Sequence, residues 1–158
     1  MRLIVTGGAC NLRLMETIAL RVLKLRPEAQ IPRRATPSAT GLDLYACLDA
    51  PLTLGRAPVR VPCGIAIEFP PGYDVQVRPR SGLSAKGVGV AFGTVDADYR
   101  GELLVTMWTF GDLDSYEIQH GDRIAQMVVA RLTPIEVVEV TEITTTARAD
   151  GGHGSTGR

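Results

Sequence analysis

Five polar, glycine-bearing segments hold the residues of this chain best suited to grip an anion and act on it: Ala39-Thr-Gly-Leu-Asp-Leu-Tyr45, Arg78-Pro-Arg-Ser-Gly-Leu-Ser84, Gly93-Thr-Val-Asp-Ala-Asp-Tyr-Arg-Gly-Glu102, Gly121-Asp-Arg-Ile-Ala-Gln126 and Arg148-Ala-Asp-Gly-Gly-His-Gly-Ser-Thr-Gly-Arg158. The last has the chemistry of a phosphate clamp. Its glycines, Gly154 among them, let backbone N–H groups converge on an anion, while Ser155 and Thr156 add hydroxyl donors and Arg148 adds a planar fork. So poor in apolar residues, this tail cannot build a core and takes any order from what it binds. Arg80, Ser81 and Gly82 follow a proline at the end of an alternating stretch, where a loop can present both side chains to an anion. In Gly93-Thr-Val-Asp-Ala-Asp-Tyr99 the flanking glycines and alternating residues predict a β-hairpin, which would hold Asp96 rigidly at the edge of a pocket; Asp98 reads as an Asx-turn residue. Asp122 and Arg123 are suited to pairing with each other and so holding their turn.

These segments must be positioned by short strands. From Leu42 onward the chain shows period-two alternation, as in Tyr73-Asp-Val-Gln-Val-Arg78, broken by Pro51, Pro58, Pro62, Pro70, Pro71 and Pro79 about every ten residues, which predicts an all-β sandwich or barrel. Glu102–Trp108 and Ile124–Ala130 are more continuously apolar and suit strands buried on both faces or facing a neighbouring subunit. The 158 residues fit one domain able to bury roughly 70% of its unfolded surface. Lys and Arg balance Asp and Glu at 17 each, so no global positive field favours a nucleic-acid polymer, and a free nucleotide is the better-matched partner. Cys10, Cys47 and Cys63 lack the spacing of zinc or redox sites and read as buried free thiols of a reducing cytoplasm. No apolar run approaches the roughly 20 residues of a membrane span, and the N-terminus lacks a signal-peptide core.

In order and spacing the five segments resemble the five motifs of the trimeric deoxyuridine triphosphatases (dUTPases), over roughly Val22 to the C-terminus. The resemblance implies a jelly-roll-like (β-clip) subunit and a homotrimer with its active sites at subunit interfaces. It implies Mg²⁺-dependent hydrolysis of dUTP to dUMP and pyrophosphate, which limits uracil incorporation into DNA and supplies dUMP for dTMP synthesis. By resemblance Asp96 is the general base that orients the attacking water. Gly93, Thr94 and Val95 belong to the segment that reads uracil through backbone groups and leaves no room for a 5-methyl, and Tyr99 lies under the deoxyribose. Ser81 reaches the oxygens around the scissile α–β linkage, with Arg80 and Gly82 beside it, and Gln126 donates to the phosphates. Asp43 takes the place of the residue that touches metal-bound water, which suits a Mg²⁺ delivered by the nucleotide and not a dense carboxylate cage. Val90-Ala-Phe-Gly93 is one residue shorter than in some members. His153 stands where Phe commonly lids the uracil.

The resemblance divides the chain into an extension, residues 1–18, a β domain, 19–146, and the closing tail, 147–158. In the extension Leu12, Met15 and Ala19 share a face if Asn11 caps a helix, although Thr17, Ile18 and Val22 are mediocre helix formers; Met15 also looks like an ordinary start for the family. Two rivals share the expected fold. A dCTP deaminase, or a bifunctional deaminase and dUTPase, would lack the Ser-Thr-Gly tail and place a glutamate in the Val-Asp-x-Asp-Tyr stretch. A nucleotide-gated regulatory protein is disfavoured by Asp96 and the tail standing intact together.

An imidazole lid at His153 gains positive charge as pH falls through about 6.5, where a phenyl ring does not. His153→Phe is therefore expected to bind nucleotide with less pH dependence between about pH 5.5 and 7.5, measured by titration calorimetry; superimposable profiles for the two proteins would remove the ring's charge from lid closure.

Overall fold

Alternation decides the strand that carries most of the architecture. Val75 and Val77 point into the core while Asp74, Gln76 and Arg78 stay half-exposed on the opposite face, as a period-two pattern requires. The computed structural model describes residues 17–146 and Ala149. Its elements in chain order are β1 (Arg21–Lys24), β2 (Leu42–Tyr45), β3 (Leu52–Leu54), β4 (Val59–Pro62), β5 (Ile65–Glu68), β6 (Tyr73–Arg78), α1 (Ser81–Ser84), β7 (Val88–Val90), β8 (Gly93–Val95), β9 (Leu104–Thr109), β10 (Tyr116–Ile118) and β11 (Arg123–Arg131). Proline sets the boundaries. Pro51 and Pro58 precede β3 and β4, Pro62 ends β4, Pro70 and Pro71 separate β5 from β6, and Pro79 stops β6, because a residue without an N–H cannot continue a ladder.

The strands form a four-stranded sheet, β2-β11-β6-β8, a three-stranded sheet, β4-β9-β7, and two pairs, β1-β5 and β10-β3. All pairings are antiparallel. One core joins them: Leu44, Val75, Val77 and Met127 from the larger sheet with Val61, Val88, Val105 and Met107 from the smaller and Ile65, Leu54 and Ile118 from the pairs. This is the jelly-roll-like all-β architecture expected. Among the described residues the single helical turn α1 is the only helix, and none is long and apolar enough to cross a membrane. Thr17–Leu20 form no helix and Val22 lies in β1, so the helical reading of the extension does not reach Ala19; Leu12 and Met15 lie outside the described residues.

The apolar runs behave differently from each other and from the simplest expectation. In β9 burial alternates, with Val105, Met107 and Thr109 inside, Thr106 and Trp108 half-buried and Leu104 exposed, so among the described residues only one face is fully covered. In β11 Ile124, Ala125 and Met127 are buried, and the far end, Ala130–Arg131, is exposed. After it the chain runs through residues 132–146 without regular structure, and Ile135, Val137 and Ile143 are 83%, 90% and 86% exposed. Among the described residues nothing covers this long apolar arm.

Cys47 and Cys63 are buried free thiols, as expected, and burial pushes the Cys63 thiol up to about 12, with the nearby Glu102 charge adding to the effect; Cys10 lies outside the described residues. Immediately after Cys63 the chain turns at Gly64 with φ +68, where a Cβ would sit 2.6 Å from Cys47 Sγ and 2.8 Å from Ala29 Cβ. Gly64→Ala combines a left-handed backbone penalty with overpacking and is expected to cost about 2–4 kcal/mol, seen as a lower urea midpoint at unchanged slope. A midpoint within error of the parent would show that the β4–β5 turn is free to rearrange.

Candidate active site

Antiparallel register places three site elements in one row. Gln126 of β11 lies opposite Asp43 of β2 on one side and Arg78 of β6 on the other. Asp43 is 8% exposed, and a carboxylate so enclosed must be paired. Its Oδ1 faces Arg80 Nε at 3.2 Å and its Oδ2 faces Arg123 Nη1 at 3.3 Å. Arg80 also donates through Nη1 to the Arg123 carbonyl at 2.8 Å. The three residues form one charge network tying the start of the α1 segment to β2 and β11. Gln126 Nε2 donates to the Pro79 carbonyl at 2.9 Å, which fixes its amide beside the same segment and leaves its second N–H available.

Beyond Arg80 the backbone enters α1, a single helical turn and not the open loop expected, because Leu83 N–H and Ser84 N–H both bond to the Arg80 carbonyl. Leu83 is buried and anchors the turn, while Ser81 and Gly82 are exposed on its outer side. The expected Asp122–Arg123 pair is absent. Asp122 Oδ2 accepts from Gln119 N–H at 2.8 Å to close the turn, and Arg123 pairs with Asp43. Arg123 is thus a site residue whose partner lies 80 positions away, a pairing that spacing cannot reveal.

Gly93, Thr94, Val95, Asp96 and Tyr99 gather elsewhere, around a pocket of about 210 Å³ completed by Val77, Glu102, Leu103 and Leu104. The expected hairpin is not formed. Strand β8 pairs with β6, and the chain after it leaves for the other sheet: Leu103 N–H bonds to the Ile65 carbonyl, and Leu104 begins β9. Asp96 is held instead by a tight turn, with Tyr99 N–H bonded to the Asp96 carbonyl at 3.0 Å. Among the described residues neither the Asp96 nor the Asp98 carboxylate has a hydrogen-bond partner, so the turn is closed by backbone and not by an Asx bond from Asp98. An exposed, uncommitted carboxylate at Asp96 is what proton acceptance from water requires.

Two residues that sequence reasoning passed over support this turn. Tyr99 donates its hydroxyl to the Glu102 carbonyl at 3.0 Å, and Glu102 Oε1 accepts Gly64 N–H at 2.8 Å. The ring also lies so close to Gly101 that a Cβ there would come within 2.3 Å of the Tyr99 oxygen. Arg100 Nη1 donates to the Ala97 carbonyl at 2.8 Å and to the Tyr99 carbonyl at 2.9 Å. Both lie in a segment singled out for Asp96 and Tyr99, whose chemistry drew attention from their neighbours.

The two groups stand apart. Because β8 runs antiparallel to β6, Asp96 falls beyond the Val95–Val75 pair, level with Asp74, whereas Gln126 is level with Arg78. Four residues of strand and two strand spacings separate them, about 13 Å along and about 10 Å across. Arg148, His153, Gly154, Ser155 and Thr156 lie outside the described residues.

The fold and site define an all-β protein with a carboxylate framed by two arginines and a separate small pocket edged by a free carboxylate. Residues 27–157 match the dUTPase family, and the chain belongs to it. It is similar to the deoxyuridine 5'-triphosphate nucleotidohydrolase of Anaplasma marginale, at 50% identity over 80% of this chain and 88% of that protein. It also resembles the protein of the same name from a Hydrogenobaculum species, at 48% over 87% and 97%. Among solved structures it resembles a mutant dUTPase of Staphylococcus bacteriophage 80alpha with dUpNHpp, with a TM-score of 0.78 and 25% identity, covering 89% of this chain and 99% of that one.

Asp43→Ala leaves two guanidinium groups facing each other without their shared carboxylate. Arg123 is half exposed and regains water, so the expected cost is about 1–3 kcal/mol and not that of a fully buried pair. Urea denaturation measures it, and unchanged stability would mean that the network contributes nothing to the fold.

Proposed function

We propose a division of labour within this dUTP-hydrolysing enzyme. Asp96 orients the attacking water and takes its proton, the pocket beside it receives the nucleoside, and the row headed by Asp43 and Gln126 serves the phosphates. The single observation that carries the reading is the exposed, unpartnered Asp96 carboxylate on the rim of a pocket built from Gly93, Thr94, Val95 and Tyr99. Attack at phosphorus needs a positioned water and a base, with cations to absorb charge on the leaving pyrophosphate. Gly93–Val95 present strand backbone to the base edge. Tyr99, pinned through its hydroxyl, forms the floor against which a ribose 2′-hydroxyl would press. Ser81 and Gln126 donate to the triphosphate, and Arg148 with Gly154, Ser155 and Thr156 closes over it while His153 stacks on the uracil.

Asp43 suits a water-mediated contact with Mg²⁺ and not direct ligation. Its Oδ2 accepts a bond from Arg123 and its Oδ1 is ion-paired with Arg80, and each oxygen keeps acceptor capacity; among the described residues no group of three or more His, Cys, Asp or Glu could hold a metal. The ion would neutralise charge on the triphosphate; this chain's part is one carboxylate aimed at its water shell. The dUTP-like ligand dUpNHpp in the bacteriophage relative supports the same substrate class here.

The separation between Asp96 and Gln126 favours a composite site in a homotrimer, in which one subunit supplies Asp96 and another supplies the phosphate row. The uncovered apolar arm 132–146 supports it, since chain of that character gains most by packing on another copy. Residues 1–18 stand outside this machinery as an extension. Free buried thiols at Cys47 and Cys63 suit a reducing cytoplasm, and balanced charge suits a free nucleotide as partner, with neither nucleic-acid polymer nor membrane.

Complementation tests the reading. Asp96→Asn should bind dUTP but lose roughly 10²- to 10⁴-fold in turnover, and a chain truncated before Arg148 should also be inactive. Refolded together, they should recover activity well above the sum of the parents, because mixed trimers combine an intact Asp96 with an intact tail. Near-normal turnover by Asp96→Asn would place the base elsewhere. No recovery, with mixed trimers seen by native mass spectrometry, would mean that each chain closes its tail over its own pocket.

A further inference from the structure

The turn that carries Asp96 is short, exposed and joined to two different sheets, so something must fix its direction. Its own backbone supplies one bond, from Tyr99 N–H to the Asp96 carbonyl. The peptide carbonyls of Ala97 and Tyr99 could still rotate, and rotating either would swing Asp96 or the Tyr99 ring. Arg100 occupies both, through a single nitrogen at 2.8 and 2.9 Å. We propose that Arg100 is a positioning residue for the reaction: by clamping these two carbonyls it holds the Asp96 carboxylate and the Tyr99 ring in one fixed relation. The inference rests on Asp96 being the base.

The geometry supports this over a merely structural role. Arg100 is exposed, and both bonds stay within three residues of it, so it ties no distant elements together. Tyr99 is held from the other side by its hydroxyl bond to Glu102 and by contact with Gly101. Arg100 therefore completes a local frame around the reacting carboxylate, while the contacts to the phosphates lie on other strands. Loosening the frame should disturb the water and the sugar more than the triphosphate. Guanidinium is suited to the task because it is planar, always charged and able to aim two N–H bonds at neighbouring acceptors.

The experiment compares Arg100→Met, which keeps the stem and loses the donors, with Arg100→Lys, which keeps a charged donor, in the full-length protein. Arg100→Met is expected to lower kcat for dUTP roughly 10- to 100-fold, the scale of a small misplacement of a reacting group. KM should stay within about twofold, the thermal midpoint should be nearly unchanged, and preference for dUTP over UTP should fall as the Tyr99 ring loosens. Arg100→Lys should restore most of kcat and the sugar preference. Unchanged kcat in Arg100→Met, or equal losses of kcat, KM and thermal stability in both variants, would overturn the proposal. Asp96→Asn in the same assay separates the failures: if it turns over normally the base assignment falls, and if it is inactive while Arg100→Met is normal, only the clamp falls.

Discussion

Nearly everything in the proposed phosphate row depends on the enclosure of one carboxylate. Asp43 is too enclosed to go without partners, and its two partners come from segments far apart in sequence, Arg80 before the helical turn and Arg123 at the start of β11. Satisfying Asp43 therefore draws three motifs together. The antiparallel register adds Gln126 directly beside it, and Gln126 in turn seizes the Pro79 carbonyl. Such a closed set of polar contacts is rigid chiefly because the enclosed Asp43 would be costly to leave unsatisfied. The rigidity is useful where a highly charged ligand must find donors already in place.

The proposed base is held on the opposite principle. Asp96 is exposed and uncommitted, and it is held in place only through its backbone. A base must be free to accept a proton, so its direction cannot be fixed by hydrogen bonds to its own oxygens. The structure fixes the peptide groups around it, through Tyr99 N–H, the Tyr99 hydroxyl and the Arg100 guanidinium. Local cost falls on neighbours whose side chains carry no chemistry of their own. Gly101, bare of a Cβ against the Tyr99 ring, is one of these.

These two halves sit at opposite ends of the four-stranded sheet. One chain thus holds the proposed phosphate row and a free carboxylate too far apart to meet on one phosphate, and among the described residues nothing covers the apolar arm beyond β11. Both features have the same physical remedy, a second copy of the chain. Assembly would bury the arm and could bring the halves of neighbouring copies into one site.

Much of this was legible in the residues. Alternation marked Tyr73–Arg78 as a strand with its bounds correct, and the prolines marked strand ends, because period and turn chemistry are local properties; the glycine-bearing segments supplied the residues of the proposed site. Cys47 and Cys63 as buried free thiols followed from spacing and number. What the sequence could not decide is which strand pairs with which and whose charge meets whose. The hairpin expected around Asp96 is a strand and a turn because β8 finds its partner in β6 and the chain after it in another sheet. Arg123 turned to Asp43 and not to the adjacent Asp122, since burial of Asp43, a tertiary property, created the greater need for a counter-charge. Composition and local pattern determined the parts, while long-range register and burial decided their partners, since no residue's sequence neighbours record what the fold will bring beside it.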